Sequence, residues 1–164
     1  MTGTVGAYDL TVGRVVSLEG VRWLCSALLG VPVWLGEELA DGRALPADYG
    51  CLDYAVEPRI SSTWFSCGST RAPLAEWEFA SRAARAFAAR CWVADDTVVP
   101  SRMLLAEPDG TVLPVHAEDI DDDGLAVWGF RLDRACGRDD EWCRASIDCR
   151  GSAFPPDWRS TPDT

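Results

Sequence analysis

The side chains whose types and spacing could do chemistry lie mostly in the second half of the chain. Asp119-Ile120-Asp121-Asp122-Asp123-Gly124 has oxygens at alternate positions and a glycine where a sharp turn is needed, as at the start of a calcium loop. A complete loop also needs a bidentate Glu at its twelfth position, and counting from Asp119 that position is Phe130. The residues after Gly124 are rich in Val, Trp and Phe and read as a strand, so the segment is expected to be a solvated acidic turn between two strands. Cys136, Cys143 and Cys149 are separated by six and five residues and, with His116, would make a Cys3His zinc set. They lack the two-residue knuckle usual in structural zinc sites. His116 is the only histidine, and the neighbouring Glu118 and Asp119 favour its charged form over a neutral base. Cys51 and Cys67 fall on adjacent predicted strands. Glu37-Glu38 and Glu76/Glu78 are carboxylate pairs of a kind that any chain this acidic contains. No P-loop, no G-x-S-x-G and no G-x-G-x-x-G is present.

Composition narrows the chemistry further. The 164 residues include no Lys, Asn or Gln, which excludes a Schiff-base lysine and a P-loop lysine. The formal net charge of -11 opposes direct binding to nucleic acid, because phosphates would be repelled. The same charge suits a basic protein partner, and it also keeps a protein soluble. An apolar fraction of 48% with eight Trp argues for a packed core. Seven Cys at irregular spacing read as reduced, mostly buried thiols. The stretch MTGTVGAYDL has no basic region followed by an apolar one, and no apolar run is long enough to cross a bilayer, so a cytoplasmic protein without membrane contact is expected. No cofactor is expected.

The elements that must position these groups are legible in outline. Ala72 to Cys91 reads as the clearest helix: Leu74, Trp77, Ala80, Ala84, Phe87 and Cys91 recur at three- and four-residue steps. Phe79, Ala83 and Ala86 widen that face, and Ser69 or Thr70 is the expected cap. An earlier helix follows Ser17 as N-cap, carries Val21, Leu24, Cys25, Leu28 and Leu29 on one face, and ends at Gly30 before Pro32. Strands are expected at Tyr8–Val16, Val31–Leu35, Cys51–Glu57, Ser62–Cys67, Trp92–Ala94, Arg102–Ala106, Thr111–His116 and Leu125–Leu132. Gly36–Gly50 reads as a loop or an irregular excursion, and Glu107-Pro108-Asp109-Gly110 as a tight hairpin turn. Residues 133 to 150 suggest a short helix. The order implies an α+β fold: a mainly antiparallel sheet with two helices packed on one face, a split β-α-β core and an added C-terminal hairpin or meander. Residues 1–150 are expected to form one domain and 151–164 a Pro-rich tail.

Seven acids and no Arg lie between Glu107 and Asp123, and a second acidic cluster precedes Trp142. Acids beside aromatics are what a binder of a basic protein presents, since charge steers the encounter and Trp anchors it. The candidate partner-binding residues are Glu118, Asp119, Asp121, Asp122, Asp123, Trp128, Asp139, Asp140, Glu141 and Trp142.

The residues WEFASRAARAFAARCWVADD, followed by SRMLLAEPDGTVLPVHAED, pair an Ala-rich helix with a strand and then a hairpin around a P-D-G turn. In this the chain resembles small bacterial immunity proteins of polymorphic toxin systems. The resemblance implies a non-catalytic cytosolic protein that blocks a cognate toxin, a basic toxin or enzyme domain, by binding its active site or an exosite. Two other readings stay open: a small enzyme or metal-binding protein using the His116/Cys region, and a structural or assembly module.

Overall fold

The structure is a computed structural model describing residues 6–94, 102–122 and 125–136. Strand β1 (Gly6–Val12) leads to helix α1 (Leu18–Leu29), then β2 (Val33–Leu35), the one-turn helix α2 (Gly36–Leu39), β3 (Gly50–Glu57) and β4 (Ser62–Ser69). Helix α3 (Glu76–Phe87) follows, and then β5 (Cys91–Ala94), β6 (Arg102–Ala106), β7 (Val112–Asp122) and β8 (Leu125–Ala135). They form one eight-stranded sheet in the order β2-β3-β4-β1-β5-β6-β7-β8. Every pairing is antiparallel except that of β2 with β3. Because β1 lies antiparallel between β4 and β5, those two strands run the same way, and β4-α3-β5 is a split β-α-β unit straddling β1. From β5 onward the chain is a plain meander. This is the expected α+β architecture.

Helix α1 forms where its punctuation says it should. The Ser17 hydroxyl accepts from the Gly20 N–H at 3.1 Å, and Gly30, at φ 67°, closes the other end by donating to the Ser26 carbonyl. Val21, Leu24, Cys25 and Leu29 are buried against the sheet. Helix α3 is shorter than Ala72–Cys91. It begins at Glu76, with Ala75 and not Ser69 or Thr70 at the cap; the Glu78 carboxylate reaches back to the Ala75 N–H at 3.1 Å. It ends at Ala88, held in the left-handed region at φ 49°. Cys91 therefore sits on β5 and not on the helix. Phe79, Ala80, Ala83 and Ala84 are buried as the widened face requires, whereas Ala86 is exposed. The small residues let α3 lie close over β1, β5 and β6, while α1 covers β2, β3 and β4.

Both helices share one core with the sheet. At its centre the Tyr8 ring stacks on Phe79 at 4.3 Å between centroids, with Phe65 tilted against Phe79 at 6.4 Å. All three rings are fully buried. The Tyr8 hydroxyl donates to the Leu74 carbonyl at 2.7 Å and accepts from the Leu74 N–H, tying β1 to the approach of α3. On the other half, buried Thr63 donates to the Arg14 carbonyl and accepts from the Val16 N–H, and the Tyr54 hydroxyl donates to the Val16 carbonyl. These bonds shape the turn that launches α1.

A second, smaller core occupies the opposite face of the sheet. It contains Trp92, Leu105, Val115 and Ala117, with Met103 and Phe130 against them. The rings of Trp92 on β5 and Phe130 on β8 lie 6.0 Å apart. In a flat sheet these strands would be separated by three inter-strand spacings, about 14 Å. The sheet is therefore rolled, and β8 curls back toward β1, β3 and β4.

Two differences from the sequence expectations concern β1 and β7. The first strand stops at Val12, and residues 13–17 form the turn into α1. The Thr111–His116 strand continues through the acidic stretch to Asp122 because β8 pairs with it along nearly its whole length.

Truncating Phe79 to Ala removes the ring on which both Tyr8 and Phe65 pack, and is expected to cost roughly 3–5 kcal/mol in a urea-unfolding measurement. Ala88→Gly is expected to act the other way. It relieves an L-residue held at positive φ on an exposed helix end and should stabilise by about 1 kcal/mol.

Candidate functional site

The acidic residues singled out for partner binding divide between strand and chain outside the described residues. Glu118 is exposed on β7, and Asp119, Asp121 and Asp122 follow it along the same strand. Asp123, Asp139, Asp140, Glu141 and Trp142 lie outside the described residues, and Trp128 is placed on β8. In register, Glu118 faces Arg131, Asp119 faces Phe130, Asp121 faces Ala126 and Asp122 faces Leu125. The stretch is thus one arm of a long hairpin up to Asp122, where a calcium loop would have needed a turn supplying converging oxygens. One of its acids, Glu118, is set opposite a basic residue.

His116 and Cys136 do come together. Cys136 donates its backbone N–H to the Pro114 carbonyl at 2.9 Å, extending the β7–β8 ladder by one residue. That register places Cys136 opposite Pro114, two residues from His116 and on the same face, so the two are diagonal neighbours. Both are buried, His116 to 1% exposure. Cys143 and Cys149, the remaining members of the zinc set, lie outside the described residues. Among the described residues no three His, Cys, Asp or Glu cluster in a way that would hold a metal ion.

The thiols on the sheet are packed groups. Cys91 is fully buried and burial pushes its thiol up to about 12. Cys51 is also raised, by burial first and then by the Asp53 carboxylate. A thiol held protonated is a poor nucleophile. Cys51 and Cys67 do not face each other, because Cys51 pairs with Gly68 and Cys67 with Leu52, which sets the two sulfurs on opposite faces of the sheet.

The most exposed large apolar side chain among the described residues lies outside the acidic candidate set. Trp23, on α1, is 68% exposed. Its position was available from the helix periodicity: Val21, Leu24, Cys25, Leu28 and Leu29 turn inward, so Trp23 must point away. Glu19, Trp23 and Ala27, at four-residue steps, form an exposed stripe. Beside α1 stands α2, joined to it by Arg22, whose Nη2 donates to both oxygens of Glu38 at 3.2 and 3.1 Å. Glu38 also accepts from the Leu35 N–H at 2.7 Å, and that bond, with Arg22 after it, holds its carboxyl below the usual range. Arg43, the next cation along the chain, lies over the Trp34 ring at 5.6 Å. Glu37 and Asp41 are exposed. The outer surface of α1 and α2 therefore carries a bare indole with carboxylates on both elements, and its nearest guanidinium is already engaged.

No helix among the described residues is long and apolar enough to cross a membrane. No family model, curated protein or solved structure matches the chain.

The α1–α2 junction carries a pH dependence with a definite sign. Glu38 titrates lower in the folded protein than in the unfolded chain, so its stabilising contribution is present above the ordinary glutamate pKa and is lost as pH falls through the folded value. A carboxyl-carbon NMR titration is expected to place Glu38 below the ordinary glutamate value. Arg22→Ala should move it only part of the way back, because the Leu35 N–H remains.

Proposed function

We propose that this protein is a non-catalytic binder of a basic protein partner, acting in the manner of an immunity protein that neutralises a toxin by covering its active site or an exosite. The observation that carries the reading is the exposed Trp23 on the α1 stripe, flanked by Glu19 and standing next to the acidic α2. A large indole exposed on a rigid helix loses little entropy when it docks, and Trp is the residue type most enriched among the side chains that dominate binding energy. The net charge of -11 supplies the long-range field that draws in a positive partner. The acids along β7 add to that field. The raised Cys51 and Cys91 thiols fit the same reading, since a thiol held protonated is a poor nucleophile.

The test is affinity capture from a native lysate on immobilised full-length protein, with wild type, Trp23→Ala and Glu37→Arg run in parallel. The expected outcome is a basic polypeptide that is retained at low salt and released as ionic strength rises. Trp23→Ala should weaken that complex by roughly 30-fold or more, as a hot-spot truncation does, while changing the unfolding midpoint little because the side chain is exposed. Glu37→Arg should slow association. Retention of the same polypeptide by wild type and Trp23→Ala alike would remove α1 from the interface. Capture of nothing basic would sink the reading.

A further inference from the structure

The face of the sheet turned away from the helices is floored by small side chains next to the β2 edge. Register puts Trp34, Cys51, Gly68 and Ala7 side by side across β2, β3, β4 and β1. The next row on the same face is Asp53, Ser66 and Asp9. An indole thus stands at one end of the floor, and a carboxylate stands on each side of Ser66. Phe130 meets Trp92 farther along this face, and there Thr11, beside Trp92 in register, is buried. Around Gly68 the face is open. Asp9 and Asp53 are exposed, and a Cβ built on Gly68 would meet no described atom within 4 Å.

The groups around this opening favour one kind of guest. Among the described residues Asp53 has no hydrogen bond or ion pair. Its Oδ1 lies 4.0 Å from where a Cβ on Gly36 would stand, so the carboxylate is turned toward the β2 edge that carries Trp34. Asp9 accepts the Trp64 Nε1–H at 2.6 Å, which fixes it and leaves it lone pairs to spare. Trp34 already carries a guanidinium, because Arg43 lies over its ring at 5.6 Å. Arg43 belongs to residues 40–48, all of them exposed, and has no hydrogen bond or ion pair among the described residues. The indole nitrogen of Trp34 is buried without an acceptor. The arrangement with Arg43 on the ring therefore leaves a donor unmet, and an unmet buried donor is a standing cost.

We propose that Trp34, Asp53 and Asp9, set around Gly68, are a receptor site for the guanidinium of an arginine side chain on a polypeptide partner, and that Arg43 is a built-in occupant which the partner's arginine displaces. A planar, weakly hydrated guanidinium stacks on an indole and turns its N–H groups to carboxylates at its rim, which a compact ammonium does less well. Asp53 and Asp9 stand two strand spacings apart, roughly 10 Å, and together they set a negative field over the floor. An arginine within a polypeptide also brings a backbone carbonyl that can meet the unpaired indole N–H. That the partner is a basic protein rests on the reading given above; the preference for a guanidinium rests on these residues alone.

The test is a titration of 15N-labelled full-length protein with N-acetyl-L-argininamide, and with its neutral citrulline counterpart, followed by NMR. The expected result is saturable shifts at the Trp34 indole N–H and at the Cys51, Asp53 and Gly68 amides, given by the arginine compound alone. Arg43→Ala should bind about two- to fivefold tighter, the factor gained by removing a competing exposed cation–π contact. Gly68→Leu fills the open space at a residue without positive φ and should abolish the shifts. Asp53→Asn should weaken binding about threefold and leave the unfolding midpoint unchanged, so it carries the test if Gly68→Leu fails to fold. No saturable shift at Trp34 would overturn the site, as would equal shifts with the citrulline compound, shifts that persist in Gly68→Leu, or shifts spread over α1 and α2. Unchanged affinity in Arg43→Ala would overturn the displacement. The probe contains no partner, so a negative titration leaves capture of a basic polypeptide standing, and a failed capture leaves the titration readable.

Discussion

The contact on which the rest of the molecule depends is the one between Tyr8 and α3. A central strand and a helix of small residues have little area with which to grip each other, since alanines contribute few methylenes. Phe79 supplies the missing bulk, stacked on Tyr8 and flanked by Phe65, and the Tyr8 hydroxyl fixes where α3 starts by engaging both backbone groups of Leu74. One side chain thus sets both the distance and the register of the helix over the sheet. Burial raises the Tyr8 pKa, so the hydroxyl stays a donor across the ordinary pH range. Ser81 completes the seating at the other side by donating to the Gly110 carbonyl at 2.6 Å, which couples α3 to the β6–β7 turn. At that turn Gly110 stands at φ 90°, and a Cβ there would collide with the Arg85 guanidinium.

From that joint the two faces of the sheet take different tasks. The helix face is closed by α1 and α3. The opposite face has no helix among the described residues, and it buries its apolar side chains by rolling. Trp92 and Phe130 meet across strands that a flat sheet would hold well apart, and the irregularities in the β7–β8 ladder near His116 and Asp119 give the long hairpin the bend this requires. The acidic stretch is strand for the same reason. Carboxylate-rich sequence is held as strand there by continuous pairing with β8, in whose register Glu118 stands opposite Arg131.

How much of this was legible depended on how local the cause was. Helix α1 was readable end to end, because Ser17, the inward row and Gly30 all act within one turn of where they stand. The split β-α-β order followed from the alternation of helix and strand signals, and the P-D-G turn from its own residues. Helix α3 was overextended because Cys91 satisfies a four-residue step from Phe87 and also begins a strand, and periodicity alone does not distinguish the two. What stops the helix is Ala88 in a left-handed conformation, a state with no side-chain signature when glycine is absent. The extension of β7 and the roll of the sheet come from pairing with distant residues, which no local window contains. The exposed Trp23 is implicit in the α1 pattern, whereas the acidic runs point to the other end of the chain.

The position of Trp23 also bears on how the surface and the interior are linked. It shares α1 with Cys25, two residues on, so the indole is presented by the same helix whose inner face is packed into the main core. A helix that is only packed can fray or shift by small amounts, and an anchor on it samples several positions. The same helix tied at both ends, by Ser17 and Gly30, and against α2 by Arg22 and Glu38, presents its anchor in one place. Preorganisation of that kind lowers the ordering cost of association without adding a contact. The physical logic therefore runs outward from the core: the packing that seats α1 on the sheet determines how sharply its exposed stripe is defined.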